Sequence, residues 1–495
     1  MITKDKKSGS QIQMVSIEQL VPENHLLRKI DKAVDFSFIY DLVEDRYSAT
    51  TGRPSIDPVM LIKIPLIQCL FGIRSMRQTI RDIEVNLAYR WFLGLDFYDE
   101  VPHFSTFGKN YKRRFEGTDL FEQIFTEILL QCMKYKAVNT DEIFVDATHV
   151  KAAANRKKSK KILVAKNTAR FYDEKLREEI NLDREKHERK PFDDDDNDTP
   201  SYPDELEGTE YDGSSEIPKG MKTQKTSTTD PESGWFHKGE HKEVFAYSVQ
   251  AGCDRNGWIL AYSVHPGNEH DSMTFPQLYE KLKAFTPEYI VADAGYKTPA
   301  VAKLLIDDGV IPVFPYTSPK TGRGLFRKKE FAYDEMYDCY ICPENQILSY
   351  STTTRQGSRQ YKSDCSICKN CPSLEKCTKS RNHQKVIERH IWQDYMETCE
   401  DIRCTTGMKE LYAHRKETIE RCFGTAKEHH CMRYTQEIGN EKMRMKVGLT
   451  FIRMYEYEET GKIAGGQRLL HRRYIVCFLI KTVKSKSLFF INRSK

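Results

Sequence analysis

No apolar run in this chain is long enough to cross a membrane. The longest, Val59 to Ile73, is broken by Lys63 and Pro65 and falls short of the ~20 residues a spanning helix needs. The opening Met-Ile-Thr-Lys-Asp-Lys-Lys-Ser has none of the apolar core of a secretory signal. A soluble cytoplasmic protein with no membrane contact is the expectation. Net charge is scarce as well. The 77 Lys and Arg against 72 Asp and Glu leave +5, too little by itself to announce a polyanionic partner. That small sum hides a segregation: Asp193 to Glu216 holds eleven acids and no base, so the rest of the chain carries +16. Fourteen cysteines in such a chain point to reduced thiols and metal rather than a disulfide scaffold, since disulfides are rare in reducing compartments.

What is present divides the 495 residues into segments, and at roughly 100 to 200 residues per domain the length alone asks for two to four domains. From Asp57 to Cys132 apolar residues recur at helical spacing, with Asp57-Pro58 as a cap and first-turn proline. Ser105-Thr106 reads as the cap of a basic helix carrying Lys109, Lys112, Arg113 and Arg114, an arrangement like the DNA-facing helix of a helix-turn-helix; a solvated basic face is the bland alternative. Residues 1–135 are thus expected to form a helical DNA-binding and dimerisation domain.

At Ile143 to Asp146 the pattern changes to a short buried strand ending in an acid. Lys151 to Arg170 then holds eight bases and no acid, and the acidic run follows. So dense a separation of charge makes 155–230 a mobile insertion with one helix near Thr168 to Arg189. Order resumes in two strands, Glu243 to Ala251 and Trp258 to Val264, joined by a turn at Asn256-Gly257. A helix over Ser272 to Phe285, a second buried strand ending at Asp293, a short helix from Pro299 and a strand at Ile311 to Phe314 follow. Strand, hairpin, helix, strand, helix, strand is the order of an RNase H-like α/β core.

Strand ends in such sheets collect ligands, which singles out Asp146 and Asp293. Between His414 and Lys427 a helical pattern puts Ile419, Cys422 and Phe423 on its packing side, with Glu420 and Lys427 two turns apart. Three carboxylates suit phosphodiester chemistry, because hard oxygen ligands hold the two divalent ions that activate an attacking oxygen and stabilise a leaving one. Separately, Cys339-x2-Cys342 and Cys365-x2-Cys368, 22 residues apart, approach zinc-ribbon spacing. Cys371 and Cys377 are alternates, so a structural Zn2+ is expected with its ligands open. His149, His237, His241, His265 and His270 read as polar or DNA-facing groups, and Trp235 as packing.

Phe144-Val-Asp146-Ala-Thr-His-Val, Val291-Ala-Asp293-Ala-Gly-Tyr and Glu417-Thr-Ile-Glu420-Arg-Cys-Phe-Gly424 closing on Lys427 together resemble the bacterial insertion-sequence DDE transposases, closest to the insertion-sequence 1182 group. The resemblance covers about residues 15 to 450. It implies that Asp146, Asp293 and Glu420 are the catalytic triad and hold Mg2+ or Mn2+. The wider superfamily's helix pattern of Tyr, Arg, Glu and Lys keeps Glu420 and Lys427 at its spacing, while Ala413 and Lys416 replace its Tyr and Arg; Tyr412 and Arg415 stand one position away. Lys427, Arg415, Lys416 and Tyr412 are the implied DNA contacts there, and Glu417 is the weaker third acid.

The expected fold is therefore α/β, an RNase H-like catalytic core with a helical N-terminal domain and a cysteine-rich, zinc-ribbon-like insertion. The core's first part spans 140–315, the insertion 316–395, and helices with the third acid 396–452. Expected partners are double-stranded DNA, as transposon inverted repeats and target, and a second copy of the chain in synapsis; nucleoid association follows. The expected activity is divalent-metal-dependent cleavage at insertion-sequence ends and strand transfer, with a nuclease lacking strand transfer or a catalytically dead DNA-binding remnant as alternatives. Past Phe451 the chain departs from the resemblance. Reading one nucleotide later from near codon 452 restores a family-like run, so 453–495 is expected to be a frameshifted tail.

Overall fold

The computed structural model describes residues 14–48, 55–134, 138–165, 173–192, 207–213, 216–218, 221–238, 242–317 and 324–454. The tail from 455, His241 and most of the acidic run lie outside the described residues. The chain forms two units: Met1–Val138 with Gly424–Arg433 and Glu441–Lys495, and Asn139–Phe423 with Tyr434–Asn440.

The first unit is helical in its described residues. Its helix Pro58–Leu70 starts where Asp57 accepts hydrogen bonds from the Val59 and Met60 amides at 2.7 and 3.4 Å. Leu61, Ile62, Ile64, Leu66, Ile67 and Leu70 are all buried. A helix apolar on nearly every side belongs at the centre of a bundle. The next apolar stretch breaks at Asn86, whose side chain caps a second helix, so Met76–Val85 and Leu87–Leu93 are separate and Val85 is exposed. The basic segment departs from expectation too. Helix Ser105–Asn110 gives way to a wider π turn over Tyr111–Phe115, and the side chain at the helix start is that of His103, not a Ser105-Thr106 cap.

The second unit is built on a mixed sheet. Its central strand β1 (Glu142–Lys151) pairs on one side with β5 (Lys242–Cys253), antiparallel, and on the other with β7 (Tyr289–Val291), parallel. β8 (Ile311–Val313) extends the sheet beyond β7 in parallel, while β4 (Gly234–Lys238) and β6 (Ile259–Pro266) pair with β5. The β5–β6 hairpin turns at Gly257 with φ +87°, the left-handed backbone an Asn-Gly turn supplies. Helix Asp271–Lys283 approaches β5 closely: a Cβ placed on Gly252 would stand 2.8 Å from both Leu282 Cδ atoms.

The charged insertion contains more than its expected single helix. β2 (Ser159–Ala165) and β3 (Met221–Ser227) form an antiparallel ribbon, and helix Asp173–Lys186 follows β2. That helix seats Leu176 and Ile180 with Trp392. After the core, β9 (Ala332–Asp334), β10 (Cys339–Ile341), β11 (Ile347–Thr353), β12 (Ser358–Ser363) and β13 (Val386–His390) make a second, antiparallel sheet.

Candidate active site

Phe144 and Val291 are the last partners of the β1–β7 ladder, and Asp146 and Asp293 each stand two residues beyond them. β1 itself does not end at Asp146, where the apolar run predicts its end. Thr148 and Val150 suit extended backbone, and β5 keeps pairing with β1 as far as Lys151. The Asp146 Oδ1 accepts from the Ala147 amide at 2.8 Å. The Asp293 Oδ1 accepts from the Gly295 amide at 2.8 Å, and a Cβ on Gly295 would press to 3.1 Å of that oxygen. Glycine is what lets the turn fold back on the carboxylate.

Arg415 sits against this pair. Its side chain is 5% exposed, with Nη2 3.1 Å from Asp146 Oδ2 and Nη1 3.9 Å from Glu420 Oε1. Its Nη1 donates to the Tyr412 hydroxyl at 3.2 Å, while its buried Nε has no partner. Burial pushes the Asp146 carboxyl up to about 6; Arg415 and the Ala147 amide oppose the rise, and the charges of Asp293 and Glu420 add to it. Glu420 keeps 46% of its side chain exposed.

The sequence pattern placed Lys416, not Arg415, at the superfamily's arginine position. The structure turns the other residue inward because the backbone is not one continuous helix. His414–Lys416 winds as a 3-10 turn, and the helix Ile419–His429 starts afresh after Thr418, whose hydroxyl donates to the His414 carbonyl at 2.9 Å. The change of winding shifts the phase of the preceding side chains, leaving Lys416 exposed and Arg415 buried. Arg415, expected on DNA phosphates, is instead committed to Asp146. Glu417 is exposed and joins neither of Arg415's ion pairs. Ile419, Cys422 and Phe423 are buried on the packing side, as the apolar spacing required. Lys427 lies on the same helix in the other unit.

Two further residues belong to the site and carry no motif in the sequence. Asp271 opens the helix Asp271–Lys283, which His270 caps. The Ser248 hydroxyl donates to its Oδ1 at 3.3 Å, and the buried Gln250 amide donates to its carbonyl at 2.8 Å. Burial raises the Asp271 carboxyl, and the Asp293 charge is the next cause. Tyr296 is fully buried with no hydrogen-bond partner for its hydroxyl. Burial, then the charges of Asp271, Asp146 and Asp293, hold that hydroxyl far above its ordinary range. An acid at the first turn of a helix is commonplace, which is why Asp271 gives no signal on its own.

The donor set fits a hard divalent cation, since carboxylate oxygens are what such ions take and Asp146 is held in a site short of positive charge. Among the described residues no three His, Cys, Asp or Glu side chains are already closed around a metal-sized point. Other expected residues fall elsewhere. Lys112 and Arg113 are exposed, whereas Arg114 lies over the Tyr47 ring at 4.4 Å and bonds Asn110. His149 stacks on Phe236 at 3.6 Å, and Trp235 packs on Phe245 with Lys225 over its ring. Cys339 is buried in β10 and Cys365 is exposed, while Cys342, Cys368, Cys371 and Cys377 are each half-buried.

Three known families match parts of the chain: Transposase domain (DUF772) over residues 15–113, DDE superfamily endonuclease over 220–323, and Transposase DDE domain over 341–454. The chain carries transposase domains. The endonuclease match contains Asp271, Asp293 and Tyr296, the transposase DDE match contains Arg415 and Glu420, and Asp146 falls between the matched segments. DNA is the substrate such domains imply. No curated protein and no solved structure matches the chain. No described helix is long and apolar enough to cross a membrane.

Proposed function

We propose that the chain is an insertion-sequence DDE transposase, of the 1182 group, that cleaves DNA at the ends of its own element and joins them to target DNA. The observation that carries this reading is the pair of acids two residues past the last β1–β7 partners, with Glu420 brought to the same side through Arg415. The strand order supports an RNase H-like core: an antiparallel β1–β5–β6 edge, then β7 and β8 parallel to β1.

Asp146, Asp293 and Glu420 hold Mg2+ or Mn2+, which when bound polarise the phosphodiester and lower the pKa of water. Asp146, buried and raised, is the acid that gains most from a second positive charge. Glu420, half exposed, is the one open to the solvent from which DNA arrives. Water attacks phosphorus as the bond to the 3′-oxygen breaks; the freed 3′-hydroxyl then attacks a target phosphodiester and releases the target's 3′-hydroxyl. Lys112, Arg113, Lys416, Tyr412 and Lys427 contact phosphates, and two copies of the chain hold two ends.

Incubation with DNA from the ends of the element, a target plasmid and Mg2+ tests the reading. Joined products are expected. Cutting without joining favours the endonuclease that the match over 220–323 describes, and retention without cutting leaves a DNA-binding protein.

A further inference from the structure

The second sheet has little to hold it. Its core cluster is Phe331, Tyr340, Leu348, Tyr361 and Ile387, with Cys342 and Cys377 packed against the cluster's side. Small cores of this kind commonly rely on a disulfide or a metal as a staple. Every described cysteine is a free thiol, which leaves the metal.

We propose that Cys342, Cys368, Cys371 and Cys377 bind one structural zinc ion, and that Cys339 and Cys365 take no part.

The chain brings these four together through separate contacts. Cys342 follows β10 in a tight turn: its amide donates to the Gln346 carbonyl, the Asn345 amide donates to its carbonyl, both at 2.9 Å, and Asn345 adopts φ +56°. Within that turn the Gln346 amide donates to Cys342 Sγ at 3.3 Å. Backbone amides aimed at sulfur favour the thiolate, the form that ligates. The same turn is tied to the other pair, because the Ser373 hydroxyl donates to Glu344 Oε1 at 2.5 Å. Cys368 and Cys371 share a turn closed by the Cys371 amide on the Cys368 carbonyl at 3.1 Å, and the Leu374 amide on the Cys371 carbonyl starts the short helix Leu374–Cys377. Burial pushes the Cys377 thiol up; Lys385 opposes this, while Cys368, Cys342 and Cys371 reinforce it, so all three sulfurs act on the fourth.

The excluded cysteines stand apart. Cys339 pairs with Asp334 and Ser349 inside the sheet, and after burial the groups acting on its thiol are Asp334 and Asp338. Cys365 is exposed at the start of the helix Cys365–Cys368. The Transposase DDE domain match begins at residue 341, so it takes in the quartet and omits Cys339. The four sulfurs stand wider apart than a bound ion would hold them. Zinc holds sulfur at about 2.3 Å, and thiols on a turn and two short helices reach that by side-chain rotation. Soft thiolates select zinc over the hard ions suited to Asp146, Asp293 and Glu420, so this site and the carboxylate site hold different metals.

The test is metal content of the full chain purified without chelator, with no reference to DNA joining. One zinc per chain is expected, lost in Cys371→Ser and Cys368→Ser and kept in Cys365→Ser and Cys339→Ser. Should Cys371→Ser fail to fold, Cys371→His keeps a donor at that position and is expected to retain zinc with faster release to a chelator. Cobalt substitution gives a second readout, a thiolate-to-cobalt absorption band present in the Cys365→Ser protein. A chain free of zinc, an iron–sulfur chromophore in its place, or zinc lost on replacing Cys365 but not Cys371 overturns the assignment.

Discussion

At the scale of single residues the acid site is held together at a cost. An acid whose folded pKa exceeds its unfolded value binds more protons when folded, so stability falls as pH rises between the two values. For Asp146 that window runs from the ordinary 3.8 to about 6. At about 1.4 kcal/mol per unit this is about 3 kcal/mol, and 19% side-chain exposure trims it to roughly 2 kcal/mol. Asp146→Asn is expected to raise the melting temperature of the metal-free protein at pH 7.5, with the gain fading towards pH 4.5, while abolishing joining. A variant less stable than the parent at pH 7.5 contradicts the placement. Asp271→Asn, which removes a charge acting on Asp293, is expected to slow joining about tenfold, ~1.4 kcal/mol of barrier, with DNA retention unchanged; joining at the parent rate removes Asp271 from the site. Asp146 and Asp293 were legible because each follows a short, fully apolar strand. Asp271 was not, because its place beside Asp293 depends on how the helix it opens lies over β5.

At the scale of elements, what local chemistry dictates was readable and what tertiary pairing dictates was not. The β5–β6 hairpin follows from Asn256-Gly257, and the helix Pro58–Leu70 from Asp57-Pro58. β1 continues past Asp146 only because β5, nearly a hundred residues later, offers partners as far as Ala246. The ribbon β2–β3 was missed because Lys160 and Lys161 read as a charge run, masking the Ile162-Leu163-Val164 that follows. The break before Ile419 was missed because no residue from His414 to Thr418 forbids a helix. Closeness between elements is also testable. Gly252→Ala forces a methyl against Leu282 and against Ile143 Cγ2 at 3.2 Å. Overpacking of this kind costs about 1–3 kcal/mol, so a lower melting temperature is expected by calorimetry, and an unchanged one means the helix can move away from β5.

For the whole molecule, the weak net charge conceals a basic body. With the acidic run set apart, +16 remains on the rest of the chain. Phosphate contacts release counterions, and 6 to 10 of them cost roughly 10³ to 10⁵ in affinity between 50 and 200 mM salt. DNA retention by the transposase is expected to fall linearly with the logarithm of salt concentration; a flat response contradicts phosphate-led binding. The whole-molecule reading was the most legible of all. The three acid-bearing motifs pointed to a DDE transposase, and the matched families support the same class over separate stretches of the chain. The basic helix was less so, since Arg114 packs against Tyr47 and only Lys112 and Arg113 face outward.

The central claim is that Asp146, Asp293 and Glu420 act as one catalytic unit. Its most direct test is single-turnover joining of element-end DNA to a target by the parent and by Asp146→Ala, Asp293→Ala and Glu420→Ala, with DNA retention measured alongside. Each variant is predicted to retain DNA and to lose joining by a similar, large factor, since residues acting together are not additive in their loss. Joining at the parent rate by any one of the three contradicts the account.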